Sequence, residues 1–248
     1  MTASPSSSST VTTLQPTLRA ALIQVRQHAA AEAQEQRCFL ARCGFRPEQL
    51  RCFNAVREPL DWHQIADADV LFVGGAGEFS VTQKEPFMAS LSAIVERWIE
   101  DRRPFLGSCW GHQLLAVLAG GQVVTDPSRE EIGTLPIFLT AAGRRDPVFA
   151  GMPERFEVHL GHHDRVSELP AGALELAASE RCPNQVFRLG DRPAYGTQFH
   201  SEMSRADMRA RLEIYREGYL RPGQEIDDLV APTPEAETLL ERFLAAWT

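Results

Sequence analysis

The chain alternates short, nearly continuous apolar runs with longer stretches in which apolar residues recur every three to four positions. Leu18–Val25, Leu50–Val56, Asp69–Val73 and Pro104–Gly107 read as strands. The run 69–73 empties into Gly74-Gly75-Ala76-Gly77, as a strand buried on both faces and ending in a tight loop would. Between the runs, 29–43 is rich in Ala, Glu and Gln and stops at Gly44. In 84–101, Phe87, Leu91, Ile94, Val95 and Ile99 share one helical face. Strand, helix, strand, helix predicts an α/β fold, with a mostly parallel sheet covered by helices on both faces.

The texture changes beyond Thr134. Short apolar segments (135–139, 156–160, 185–189) separated by Gly, Pro and Asp turns predict an added antiparallel β extension. Segments 205–220 and 235–247 predict two closing helices, and Ser/Thr-rich residues 1–16 a flexible leader.

The 248 residues are 44% apolar and 23% charged, the composition of an ordinary folded protein. Thirty-three acidic against 25 basic residues give a formal charge of −8, which argues against a nucleic-acid partner. The longest central apolar stretch, 114–119, is far below the roughly 18 to 20 residues that span a bilayer, so no membrane association is expected. Five cysteines, odd in number and without a C-x-x-C pair, suit a reducing compartment, and a cytoplasmic location is the expectation.

The chemistry concentrates in Pro104-Phe-Leu-Gly-Ser-Cys-Trp-Gly-His-Gln113. A buried strand, Gly-x-Cys-x-Gly and a helix form a nucleophile elbow with cysteine at its tip. Gly107 and Gly111 permit the sharp turn, and Cys109 sits where the positive end of a helix dipole favours a thiolate. A thiolate nucleophile needs an imidazole. In Tyr195-Gly-Thr-Gln-Phe-His-Ser-Glu202, His200 and Glu202 point the same way from an extended chain, so the carboxylate can orient the ring towards Cys109. His112, inside the elbow, reads as a packing residue. His159, His162 and His163 lack a fourth ligand at characteristic spacing, and no metal site is expected there.

With these segments in order, the chain resembles the class I glutamine amidotransferases, especially the glutaminase domain of GMP synthase and stand-alone γ-glutamyl peptidases. The resemblance rests on Gly74–Gly77, on Gly107–Gln113 and on Gly196-Thr-Gln-Phe-His-Ser-Glu202, with Glu131-Ile-Gly133 and His162-His-Asp-Arg-Val166 as weaker matches. It implies a flavodoxin-like domain over 17–248, Cys109, His200 and Glu202 as a catalytic triad, Gln113 as a holder of the glutamyl group and His162 at the substrate rim. The oxyanion hole is expected from two backbone N–H groups, that of Trp110 and that of Gly75, with Ala76 as the substitute if the loop is flipped.

The expected chemistry is acyl transfer through a cysteine thioester, without cofactor or metal. The substrate is a small γ-glutamyl compound or L-glutamine. With no P-loop or synthetase region in these residues, the first expectation is a stand-alone γ-glutamyl amide hydrolase. The alternative is a glutaminase subunit that releases ammonia for a separate synthase. A third, a silent binding module, is opposed by retention of all three reactive residues.

Overall fold

A computed structural model describes residues 17–248; the expected leader at 1–16 lies outside the described residues. Strands β1 (Ala20–Gln24), β2 (Leu50–Asn54), β3 (Val70–Val73) and β4 (Phe105–Ser108) alternate with helices α1 (Ala29–Arg42), α2 (Met88–Glu100) and α3 (Trp110–Leu118). The apolar runs form strands because both their faces are covered. Along β1 and β3, Ala20, Leu22, Val70 and Phe72 enter a core with Phe39 of α1, while Ala21, Ile23, Leu71 and Val73 enter a second core with Leu91 of α2 and Leu114 of α3. Gly44, at φ 62°, ends the cap of α1 as anticipated.

Four antiparallel strands lengthen the sheet: β6 (Glu131–Leu139), β7 (Arg155–His162), β9 (Leu174–Ala178) and β10 (Val186–Arg188); β5 (Gln122–Thr125) and β8 (Asp164–Glu168) form a separate ribbon. The nine-stranded order is β2-β1-β3-β4-β11-β10-β9-β6-β7, where β11 (Ala194–Thr197) runs parallel to β4. The expected parallel sheet with helices on both faces and an antiparallel extension is therefore present.

Three helix boundaries differ from the sequence reading. Helix α2 starts at Met88 instead of Lys84: Pro86 disfavours the helical conformation at the residue before it, and a turn closed by the Met88 N–H on the Glu85 carbonyl at 3.0 Å precedes the helix. The predicted 205–220 helix splits at Tyr215 into α4 (Arg205–Ile214) and α5 (Arg216–Tyr219), followed by α6 (Ile226–Leu229). The last helix opens with a 3-10 turn, Ala236–Thr238, and continues as α7 (Leu239–Trp247), whose Phe243 packs edge-on against Tyr195. No helix among the described residues is long and apolar enough to cross a membrane.

This topology fixes the site. Strands β4 and β11 lie side by side with Ser108 opposite Thr197, so the turn after β4 and the segment after β11 emerge together at the carboxyl edge of the sheet.

Candidate active site

Cys109 occupies the turn between β4 and α3 at φ 50°, ψ −98°, a strained conformation for a residue with a side chain. The turn is held where it is. The Cys109 N–H donates to the Thr197 carbonyl at 2.7 Å and the Gly111 N–H to that of Gly74 at 3.2 Å. A Cβ on Gly107 would overlap the Gly111 carbonyl, and one on Gly111 the Val73 carbonyl, so both elbow glycines are required sterically.

His200 lies three residues beyond β11, with its N–H on the His159 carbonyl at 2.9 Å. Its Nδ1 meets Glu202 Oε1 at 2.7 Å, and Ser108 Oγ donates to Glu202 Oε2 at 3.0 Å. Cys109, His200 and Glu202 are 5%, 6% and 1% exposed, so the carboxylate acts on the ring through little intervening water. Burial opposes a charged ring, but the Glu202 carboxylate and hydrogen bonds to Cys109 and Glu202 outweigh it and raise His200 to about 9. Burial likewise opposes ionisation of Glu202, and the neighbouring His200 nevertheless holds it below the usual carboxylate range. His112 is fully buried, pushed down to about 3 by desolvation, and its ring packs on Phe187 with centroids 4.9 Å apart.

On one side of Cys109 a cleft of about 270 Å³ is lined by Trp110, Gln113, His162 and Asp164 among others. Gln113 Nε2 donates to the Asp164 carbonyl at 2.9 Å and to Gln198 Oε1 at 3.2 Å; Gln198 Nε2 lies 3.7 Å from Cys109 Sγ. His162 is anchored at both ring nitrogens, to the Asp164 carbonyl at 3.0 Å and to Glu131 Oε2 at 3.2 Å. The Trp110 N–H opens α3, whose first-turn amides have no intrahelical acceptor.

Gly75 departs from expectation. The loop lies against the pair, since a Cβ at Gly75 would come within 2.9 Å of the His200 ring, but the Gly75 N–H donates to Glu35 Oε1 at 3.2 Å. Glu35, fully buried, also takes Arg26 Nη2 at 2.6 Å and Gln24 Nε2 at 2.9 Å. A buried carboxylate gathers every donor within reach. In this arrangement it holds the amide expected to serve the oxyanion.

The family model for glutamine amidotransferase class-I matches residues 36–213. The chain belongs to the class I glutamine amidotransferases. It is 38% identical over 125 residues to a glutamine-hydrolyzing GMP synthase subunit from Thermococcus kodakarensis, a match covering 50% of this chain and 63% of that one. It is 30% identical over 154 residues to the corresponding protein from Archaeoglobus fulgidus, covering 62% and 75%. The Thermococcus match thus spans less than two thirds of that relative. The crystal structure of a glutamine amido transferase from Methylobacillus flagellatus superposes with a TM-score of 0.75 at 26% identity, over 92% of this chain and 93% of that one.

Within this amidotransferase fold, Glu131, His162 and Cys182 bring three metal-ligating atoms within 4.8 Å behind the cleft. Each is already engaged. Glu131 accepts from Ser179 at 2.7 Å and Gln185 at 2.6 Å, and the Cys182 thiol, pushed up to about 12 chiefly by burial, donates to the Arg129 carbonyl at 3.1 Å. Glu131, itself held by Ser179 and Gln185, braces the His162 ring.

Several residues at the site escaped the sequence reading. Tyr219, from α5, donates to the Gly161 carbonyl at 3.1 Å, and that same carbonyl oxygen lies 3.8 Å from Cys109 Sγ. Tyr215, between α4 and α5, donates to Glu78 Oε1 at 2.9 Å. Ser108 and Gln198 lie inside the recognised motifs without a role having been read for them; Gln24 and Arg26 carry just the weak signal of polar residues ending an apolar strand.

Proposed function

We propose that the chain hydrolyses the side-chain amide of L-glutamine through a γ-glutamyl thioester on Cys109 and delivers the ammonia to a separate synthase. The observation that carries this reading is the strained Cys109 elbow between the polar cleft and the His200–Glu202 pair. The words "glutamine-hydrolyzing" and "subunit" in the names of relatives support both substrate and partner.

The glutamyl part occupies the cleft beside Gln113 and His162. Cys109 Sγ passes its proton to His200 and bonds to the amide carbon. The Trp110 N–H stabilises the oxyanion; the second donor is Ala76, or Gly75 once its peptide leaves Glu35. The C–N bond breaks as His200 returns the proton to nitrogen, and ammonia departs. Water then adds to the thioester, giving its proton to His200; the C–S bond breaks, glutamate leaves and Sγ regains the proton. Glu202 keeps the ring oriented and offsets its charge throughout.

Hydrolysis of γ-glutamyl amides of larger amines uses the same steps and differs only in what leaves on the His200 side. Purified protein supplied with L-glutamine is expected to form glutamate and ammonia in equal amounts, with the activity abolished in Cys109→Ala and raised by a synthase partner. Efficient cleavage of N-substituted γ-glutamyl amides with none of glutamine would overturn the reading.

A further inference from the structure

Cys109 borders two spaces that differ greatly in size. His200 is absent from the wall of the 270 Å³ cleft; it lines a second, partly open chamber, with Arg26, Cys109 and Tyr215, whose free volume is about 10 Å³ and whose boundary with the cleft is formed by Tyr219 and Gly161, which border both. The acid that protonates the departing nitrogen must touch it, so the leaving group belongs in the chamber that His200 lines. A chamber of that size is about the minimum that holds one water molecule. Ammonia fits it, and a nitrogen bearing a carbon chain does not.

The walls are fixed. The Tyr215 ring covers Gly77 where any Cβ would overlap it, and its hydroxyl is tied to Glu78. Tyr219 is tied to the Gly161 carbonyl and stacks on His163, with centroids 5.3 Å apart and planes 9° apart. The two tyrosines meet edge to face at 6.3 Å. Arg26 and Arg211, both buried, border the same chamber and disfavour a cationic substituent.

We propose that Tyr215 and Tyr219 restrict the substrate to an unsubstituted carboxamide, admitting ammonia as leaving group and excluding larger amines. This rests on glutamine hydrolysis at Cys109. It also turns the choice between glutaminase and γ-glutamyl peptidase into a question of two side chains.

The test compares kcat/KM for L-glutamine and its N5-methyl and N5-ethyl amides. The native enzyme is expected to prefer glutamine by roughly 10- to 200-fold over the methyl amide, the range one misfit carbon gives, and more over the ethyl amide. Tyr219→Ala and Tyr215→Leu are expected to narrow that ratio at least about fivefold, while Tyr219→Phe, which keeps the ring, preserves it. Native turnover of the methyl amide within twofold of glutamine overturns the proposal, as does an unchanged ratio in both Tyr219→Ala and Tyr215→Leu. Failure of the underlying reading looks different: no native hydrolysis of glutamine and no reaction of Cys109 with a diazoketone glutamine analogue.

Discussion

Ser108 Oγ donates to Glu202 Oε2 at 3.0 Å, the carboxylate oxygen left free by the 2.7 Å contact between Oε1 and His200. Ser108, the residue before Cys109, therefore holds the carboxylate that contacts the His200 ring. Hydrogen bonds to charged groups contribute about 1.5–3 kcal/mol, and each 1.4 kcal/mol is a factor of ten. Ser108→Ala is expected to lower kcat/KM for glutamine roughly tenfold and to move the alkaline limb of its pH profile, whereas Ser108→Thr retains most activity. An unchanged rate and profile in Ser108→Ala would show that the contact positions nothing.

The elevated His200 carries a stability signature. Its folded value, about 9, exceeds the ordinary 6.5, so its contribution is complete below about pH 6.5 and is lost as pH rises through 9. Glu202→Gln removes the largest raising influence. The native protein is expected to exceed Glu202→Gln in stability most below pH 6.5, with the gap shrinking towards pH 9.5, as measured by denaturant unfolding. A gap that widens with pH contradicts this sign.

Strain at Cys109 predicts an unusual stability ordering of two variants at that position. Positive φ at a non-glycine residue costs on the order of 1–3 kcal/mol, and glycine avoids it at about 0.4–1 kcal/mol of unfolded-state entropy. Cys109→Gly is expected to be about 1 kcal/mol more stable than Cys109→Ala in urea melts. Equal stability would mean that the φ of 50° stores nothing.

Arg26 and Glu35, 2% and 0% exposed, form an ion pair beneath the glycine loop. Removing one partner strands the other, at about 3–5 kcal/mol. Arg26→Met is expected to lose stability in that range, and Arg26→Met/Glu35→Gln to recover part of it. A double variant as unstable as the sum of the singles would show that the two residues are not coupled.

What the sequence reveals depends on how local the signal is. The elbow and His200-x-Glu202 are short motifs whose geometry follows from the turn or strand that carries them, and strands β3 and β4 announce themselves by apolar runs. Strand β5 is hidden because two of its four residues are exposed, the other two only half-buried, and it pairs only with β8. The capture of the Gly75 amide by Glu35 joins residues 40 apart, brought together because β1 lies beside β3. Tyr215 and Tyr219 sit on a helical pattern that reads as continuous, and the contacts that hold them beside Cys109, with Glu78, Gly77, Gly161 and His163, all come from residues distant in sequence.

The central claim is that Cys109 is the nucleophile towards a glutamine side chain, and active-site labelling tests it most directly. Burial pushes the thiols of Cys38, Cys43, Cys52 and Cys182 upward, the last two to about 12, which leaves them protonated and slow. Protein treated with the diazoketone analogue of glutamine and mapped by mass spectrometry is expected to carry one label per chain, on Cys109, with L-glutamine protecting it. Label spread over the other cysteines, or modification of Cys109 that glutamine does not slow, would contradict the account.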